Sequence, residues 1–187
     1  MTERSSILST ADSRRPLVAA AALREFARGG YHGTTVANVA REAKISPAYV
    51  FKLYPRKEAL FVSALEACFE QIVEALAEGA DASESPAPAD VLEAMGDAYA
   101  ALIHDRTLLM LQVHAQSVSE IPEVGDALRA GLARVVEFAK ARSAGTDEEV
   151  QRFIAFGQLC HLIVTARLDD VAADWARVLT RGMRHPD

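Results

Sequence analysis

The sequence predicts an all-α protein, and three observations carry that prediction. Apolar residues recur at helical spacing through nearly the whole chain. Alanine is abundant, while glycine and proline are few and fall in clusters between the periodic runs. No stretch alternates apolar and polar residues with the period of two that marks a strand. The architecture expected is an N-terminal three-helix domain containing a helix-turn-helix, joined by a long helix to a C-terminal helical domain, about nine helices in all. With 187 residues, of which 50% are hydrophobic, the chain can bury a sizeable core.

Taken in order, residues 1–11 are polar and aperiodic and read as a flexible tail. A first helix is expected over 13–28, with Val18, Ala21, Ala22 and Phe26 as its apolar stripe and Gly29-Gly30 as its stop. A second opens after Thr34 or Thr35, whose hydroxyls suit free helix-start amides, and buries Val36, Val39, Ala40 and Ala43. Lys44-Ile45 makes the turn. Ser46 then caps a short third helix that has Pro47 at its first position, where a missing N–H costs nothing. In that helix Val50, Leu53 and Tyr54 lie on one side, with Ala48, Tyr49 and Lys52 toward the other, and Pro55 ends it.

The fourth helix starts near Arg56 and keeps its apolar repeat from Leu60 to Leu76. Residues 79–90, GADASESPAPAD, read as the clearest loop. Five further helices fit 89–104, 105–119, 123–143, 147–167 and 169–184. Asp147, Glu148 and Glu149 open the eighth, where carboxylates favour the positive end of the helix dipole. The domains expected are 12–72, with the helix-turn-helix at 35–54, and 73–187.

Charge points to a partner for the first of these. The net charge is −6, yet residues 1–60 carry ten Lys/Arg against five Asp/Glu, and the remainder carries ten against twenty-one. A basic N-terminal third on an acidic body aims that third at a polyanion. Two short helices with a tight turn and a third as brace suit double-stranded DNA, because a small helix with an apolar inner face can be held rigidly in the major groove. Tyr49 and Lys52 project together toward bases, and Ala48 lets the backbone come close or touches a thymine methyl. Thr34, Thr35 and Ser46 offer hydroxyls and free amides to phosphates, Lys57 offers a further contact, and Arg14 and Arg15 add charge at the head of the first helix.

These residues resemble the TetR (tetracycline repressor) family of transcriptional regulators over about 14–62. The likeness rests on Phe26, Gly30 and Tyr31, then TTV, then VAREAKIS, then FKLYPRKEAL, in that order. The resemblance implies a homodimer with an N-terminal DNA-binding domain and a C-terminal domain for a small inducer. Carried over by position, it implies phosphate contacts at Thr35, Phe51, Leu53 and Lys57, and base contacts at Ser46, Pro47, Ala48, Tyr49 and Lys52. Four positions depart from the pattern: Lys44 replaces the turn glycine, Phe51 a tyrosine, Leu53 a histidine, and Arg56 a capping serine or asparagine. Lys44, Lys52, Arg56 and Lys57 are therefore expected to carry more of the affinity.

The C-terminal domain is read from its residues. The eighth helix is apolar nearly all round, so it needs covering on two sides. A homodimer interface is expected from Phe153, Gly157, Cys160, His161 and Val164 with Val171, Trp175, Val178 and Leu179 of the last helix. Met95, Tyr99, Met110, His114, Phe138, Phe153 and Phe156 are candidates to line a pocket for an unidentified small-molecule inducer, with His114 as polar anchor. No metal site, cofactor or catalytic set is expected, and the chain is not read as an enzyme. Cys68 and Cys160 lie far apart in helical patterns and suggest a reducing cytoplasm. No apolar run reaches membrane-spanning length, and the N-terminus lacks a signal-peptide core. The expected function is a DNA-binding regulator, most simply a repressor released by its ligand. The competing reading is a helical DNA-binding architectural or interaction protein with no small-molecule ligand.

Overall fold

The computed structural model describes residues 2–182, and side-chain surroundings from Ser13 onward. Among the described residues there are nine α-helices, two 3-10 turns and no strand. The helices are α1 Thr2–Gly33, α2 Val36–Glu42, α3 Pro47–Leu53, α4 Lys57–Ala82, α5 Pro88–Leu102, α6 Thr107–Ser117, α7 Pro122–Ser143, α8 Asp147–Ala166 and α9 Asp174–Thr180. Met1 of the expected tail and Met183 of the expected last helix lie outside the described residues, and α1 begins at Thr2, ahead of the expected start. The chain divides into two compact units, Met1–Cys68 with Met110–Gly131, and Phe69–Leu109 with Leu132–Asp187. Helices α4, α6 and α7 contribute residues to both.

In the first unit the apolar stripes predicted from spacing converge. Val18, Ala21, Ala22, Phe26, Val39, Ala40, Val50, Leu60, Phe61 and Leu65 are all buried. Phe26 and Phe61 meet edge-to-face at 4.8 Å between ring centroids, and Tyr31 meets Phe61 at 5.4 Å. Burying each such ring contributes about 1.5–3 kcal/mol, enough to fix the short helices that could not hold themselves. Gly30 breaks the regular helix with φ 66° and ψ 179°, a backbone region open essentially only to glycine. A Cβ there would also stand 3.2 Å from Nδ1 of His114.

The second unit corrects the reading of Gly79 as a breaker. Helix α4 runs on through it to Ala82, leaving only 83–87 between α4 and α5. A Cβ on Gly79 would meet the Ala94 carbonyl oxygen at 2.6 Å and the Ala98 Cβ at 2.8 Å, so glycine permits α5 to pack closely. Met95 is fully buried, and the Tyr99 hydroxyl lies 2.5 Å from Nε2 of the buried His161. Burial pushes the His161 imidazole down to about 4, so it is neutral at ordinary pH. Helix α8 opens with a capping box in which Thr146 accepts from the Glu149 amide and the Glu149 carboxylate accepts from Thr146. It ends at Arg167 in the left-handed conformation (φ 53°), followed by a 3-10 turn over Leu168–Asp170. That turn is why α9 starts only at Asp174, later than the periodicity over 169–184 suggested.

Candidate nucleic-acid interface

The interface is built from caps outward. Thr35 is the N-cap of α2: its Oγ1 accepts from the Asn38 amide, and Asn38 Oδ1 accepts from the Thr35 amide at 2.9 Å. Ser46 Oγ accepts from the Tyr49 amide at 3.2 Å and caps α3. Between the two helices Lys44 takes the left-handed conformation, φ 55°, with its side chain exposed. The turn therefore strains a non-glycine residue and also presents a positive charge.

Helix α3 has the inner and outer faces that its spacing predicted. Val50 and Leu53 are buried, Tyr49 is half-buried, and Pro47, Ala48, Phe51 and Lys52 are exposed. Thr35, Ser46 and Arg56 are exposed as well, and Lys57 is partly so.

Two expected contacts change. Thr34 is 2% exposed, and its hydroxyl donates to the Glu25 carbonyl at 3.0 Å, so that hydroxyl is spent on tethering the start of α2 to α1. Leu53 is 4% exposed, so its side chain belongs to the core, and its carbonyl accepts from Arg15 Nη1 at 3.0 Å. Arg15 also lies over the Tyr54 ring at 5.3 Å, which makes it a brace between α1 and α3. Sequence reasoning placed Arg15 on DNA because nothing local reveals a carbonyl thirty-eight residues away.

The cations behind α3 are held in defined surroundings. Lys57 Nζ sits 4.6 Å from the centroid of Tyr31, and partial burial lowers its pKa from the ordinary value. Arg56 pairs with Glu123 at 2.9 Å across an exposed surface, a contact worth little in water. Arg24 donates to Glu42 at 2.7 Å and ties α1 to the end of α2.

Residues 18–64 match the family profile described as bacterial regulatory proteins, tetR family. That match covers the helix-turn-helix segment and makes that segment a tetR-type one. No curated protein matches it in sequence. A TetR-like transcriptional regulator from Rhodococcus sp. RHA1 is 20% identical, with 91% of this chain and 95% of that one covered and a TM-score of 0.63. The transcriptional regulator FadR from Bacillus subtilis, in complex with stearoyl-CoA, is 16% identical over 90% and 98%, with a TM-score of 0.66. The multidrug binding protein EbrR, complexed with imidazole, is 21% identical over 93% and 97%, with a TM-score of 0.63. At these identities the likenesses establish the fold alone, which is the all-α architecture predicted.

The residues expected to hold a ligand fall in both compact units. Met110 and His114 belong to the first unit, with the His114 ring against Gly30. Met95 and Tyr99 are closed into the core of the second, and Phe138 is half-buried there. Phe153 and Phe156 do line a cleft of about 370 Å³ between α5 and α8, with Leu92, Gly96, Ala100 and Gly157. Glu93, Asp97, Glu149 and Arg152 also line it.

The expected interface residues divide likewise. Cys160 and His161 are largely buried within their own chain. Phe153, Gly157 and Val164 are partly exposed on α8, as are Val171 and Leu179 near α9. Trp175 and Val178 stand out from α9 at 57% and 74% exposure, and Leu162 is exposed on α8. Among the described residues no helix is long and apolar enough to cross a membrane, and no group of three His, Cys, Asp or Glu side chains is placed to hold a metal.

Proposed function

We propose that this chain is a homodimeric repressor of a palindromic DNA operator, released by a small-molecule ligand bound in the second unit. The observation that carries the reading is the exposed outer arc of α3, flanked by Lys44, Arg56 and Lys57 within a tetR-type helix-turn-helix. Those cations would meet phosphates, while Tyr49 and Lys52 would meet base edges. Two copies are supported by Trp175, Val178 and Leu162, large apolar side chains that a soluble monomer gains nothing by exposing. Two-fold symmetry would place the half-sites roughly 34–36 Å apart, or a multiple of that.

The α5–α8 cleft is the site favoured for the ligand, because its volume falls in the range of small-molecule pockets and its floor is apolar. Structural neighbours hold ligands as different as stearoyl-CoA and imidazole, which supports a ligand-accepting body without naming the ligand here. Release would be a population shift, driven by a ligand that prefers the conformer with weak operator affinity.

Selection of bound fragments from the source genome tests the reading. A single palindromic sequence should emerge, bound far above random DNA and with a steep loss of affinity as salt rises. Lys57→Ala should weaken binding to every sequence and lower the salt slope by about one, whereas Tyr49→Ala should change the ranking among sequences. Indiscriminate binding, or equal losses from both variants on all sequences, would overturn the assignment.

A further inference from the structure

Helix α3 presents its outer surface as a continuous arc. At about 100° per residue, the exposed side chains order as Pro47, Phe51, Ala48 and Lys52 around the axis, with half-buried Tyr49 beyond Lys52. The centre of that arc is apolar. Phe51 is 49% exposed, although Val50 and Leu53 on either side of it in sequence are closed into the core. Polar side chains sit only at its margins: Lys52 at one edge, Tyr49 past it, and Ser46 engaged as the N-cap.

An exposed phenylalanine has no hydrogen bond to give a phosphate or a base edge. In the major groove the apolar feature it can bury against is the 5-methyl group of thymine. Ala48, three residues before Phe51 and therefore beside it on the helix, adds no bulk that would hold the ring away from the groove floor. We infer that Phe51 is a specificity-determining residue that reads thymine through its 5-methyl group. This rests on the proposed DNA-binding function and deepens it: discrimination in the half-site comes in part from apolar contact, alongside the hydrogen bonds of Tyr49 and Lys52.

The test uses the full chain and the palindrome recovered from genomic selection, with thymines replaced one at a time by uracil, which lacks only the methyl. At one or two positions per half-site the replacement should weaken binding about fourfold, the equivalent of one unburied methylene at ~0.8 kcal/mol. Phe51→Ala should bind thymine and uracil probes equally at those positions. Lys57→Ala should weaken both while keeping the fourfold ratio. Equal affinity of the unaltered chain for all thymine and uracil probes overturns the inference and leaves the DNA-binding reading standing. So does a fourfold ratio that persists in Phe51→Ala. Failure to bind any selected DNA overturns both.

Discussion

The Tyr31 hydroxyl donates a 2.6 Å hydrogen bond to the Glu58 carboxylate, joining the end of α1 to the first turn of α4. Each group alters the other. The Tyr31 hydroxyl holds the Glu58 carboxyl below its ordinary 4.5, while burial and then that bond push Tyr31 from 10.0 up to about 12. A carboxyl lowered in the folded state contributes stability above its ordinary value and loses it as pH falls through the folded one. Tyr31→Phe should therefore cost about 1 kcal/mol in urea unfolding at neutral pH, low for a charge-assisted bond because Glu58 is partly solvated. The gap from the unaltered chain should close as pH drops below 4.5. On the alkaline side the sign reverses in origin: a raised phenol is lost to stability as pH climbs from 10.0 toward about 12, and the phenylalanine variant should lack that loss. A pH-independent difference would contradict the coupling.

Gly30→Ala should destabilise by about 1–3 kcal/mol, because φ 66° with ψ 179° strains any residue with a Cβ. The added methyl would also press on the His114 ring at 3.2 Å. In the double variant with His114→Ala the contact is relieved but the backbone strain stays, so only part of the loss should return. Thermal unfolding of the two variants separates these contributions; full rescue would show that strain at Gly30 is negligible.

Lys44→Gly should stabilise the fold by about 1 kcal/mol, since a left-handed lysine costs about that much more than glycine. The same change should weaken DNA binding and flatten its salt dependence, because an exposed cation beside α3 disappears. Stability and affinity moving in opposite directions is the expected signature. A variant that loses both would place the lysine in the fold's support instead.

Trp175→Glu or Val178→Glu should leave each chain folded, because both side chains are exposed within it. In light scattering at micromolar concentration the unaltered chain should weigh as a dimer and these variants as monomers, with operator binding falling accordingly. A dimer mass retained in both variants would move the interface elsewhere.

What could be read from the sequence was what neighbouring residues decide. Ser46-Pro47, Thr35 and the stripe from Leu60 to Leu76 set their helices locally, and the basic third of the chain pointed toward a polyanion. Long-range partners were hidden. The Thr34 hydroxyl finds a carbonyl in α1, Arg15 finds one in α3, and Leu53 turns inward where the family resemblance implied a phosphate contact. Gly79 looked like a breaker because sequence shows absence of a side chain, not the neighbouring helix that requires it. The seat of the His114 ring against Gly30 is hidden for the same reason, since Gly30 lies far back in the chain. The outer arc of α3 is nearly legible, but the sequence marks Phe51 only by the hydroxyl it lacks and does not reveal that its ring is exposed.

Cys68 lies within α4 with no exposed surface, and burial pushes its thiol up to about 12. At neutral pH it is neither ionised nor reachable, so an alkylating reagent can modify it only in moments when α4 loosens. The labelling rate of that one sulfur is thus a natural clock for the opening of a helix that runs through both compact units, and any added DNA or small molecule can be timed against it without adding a probe.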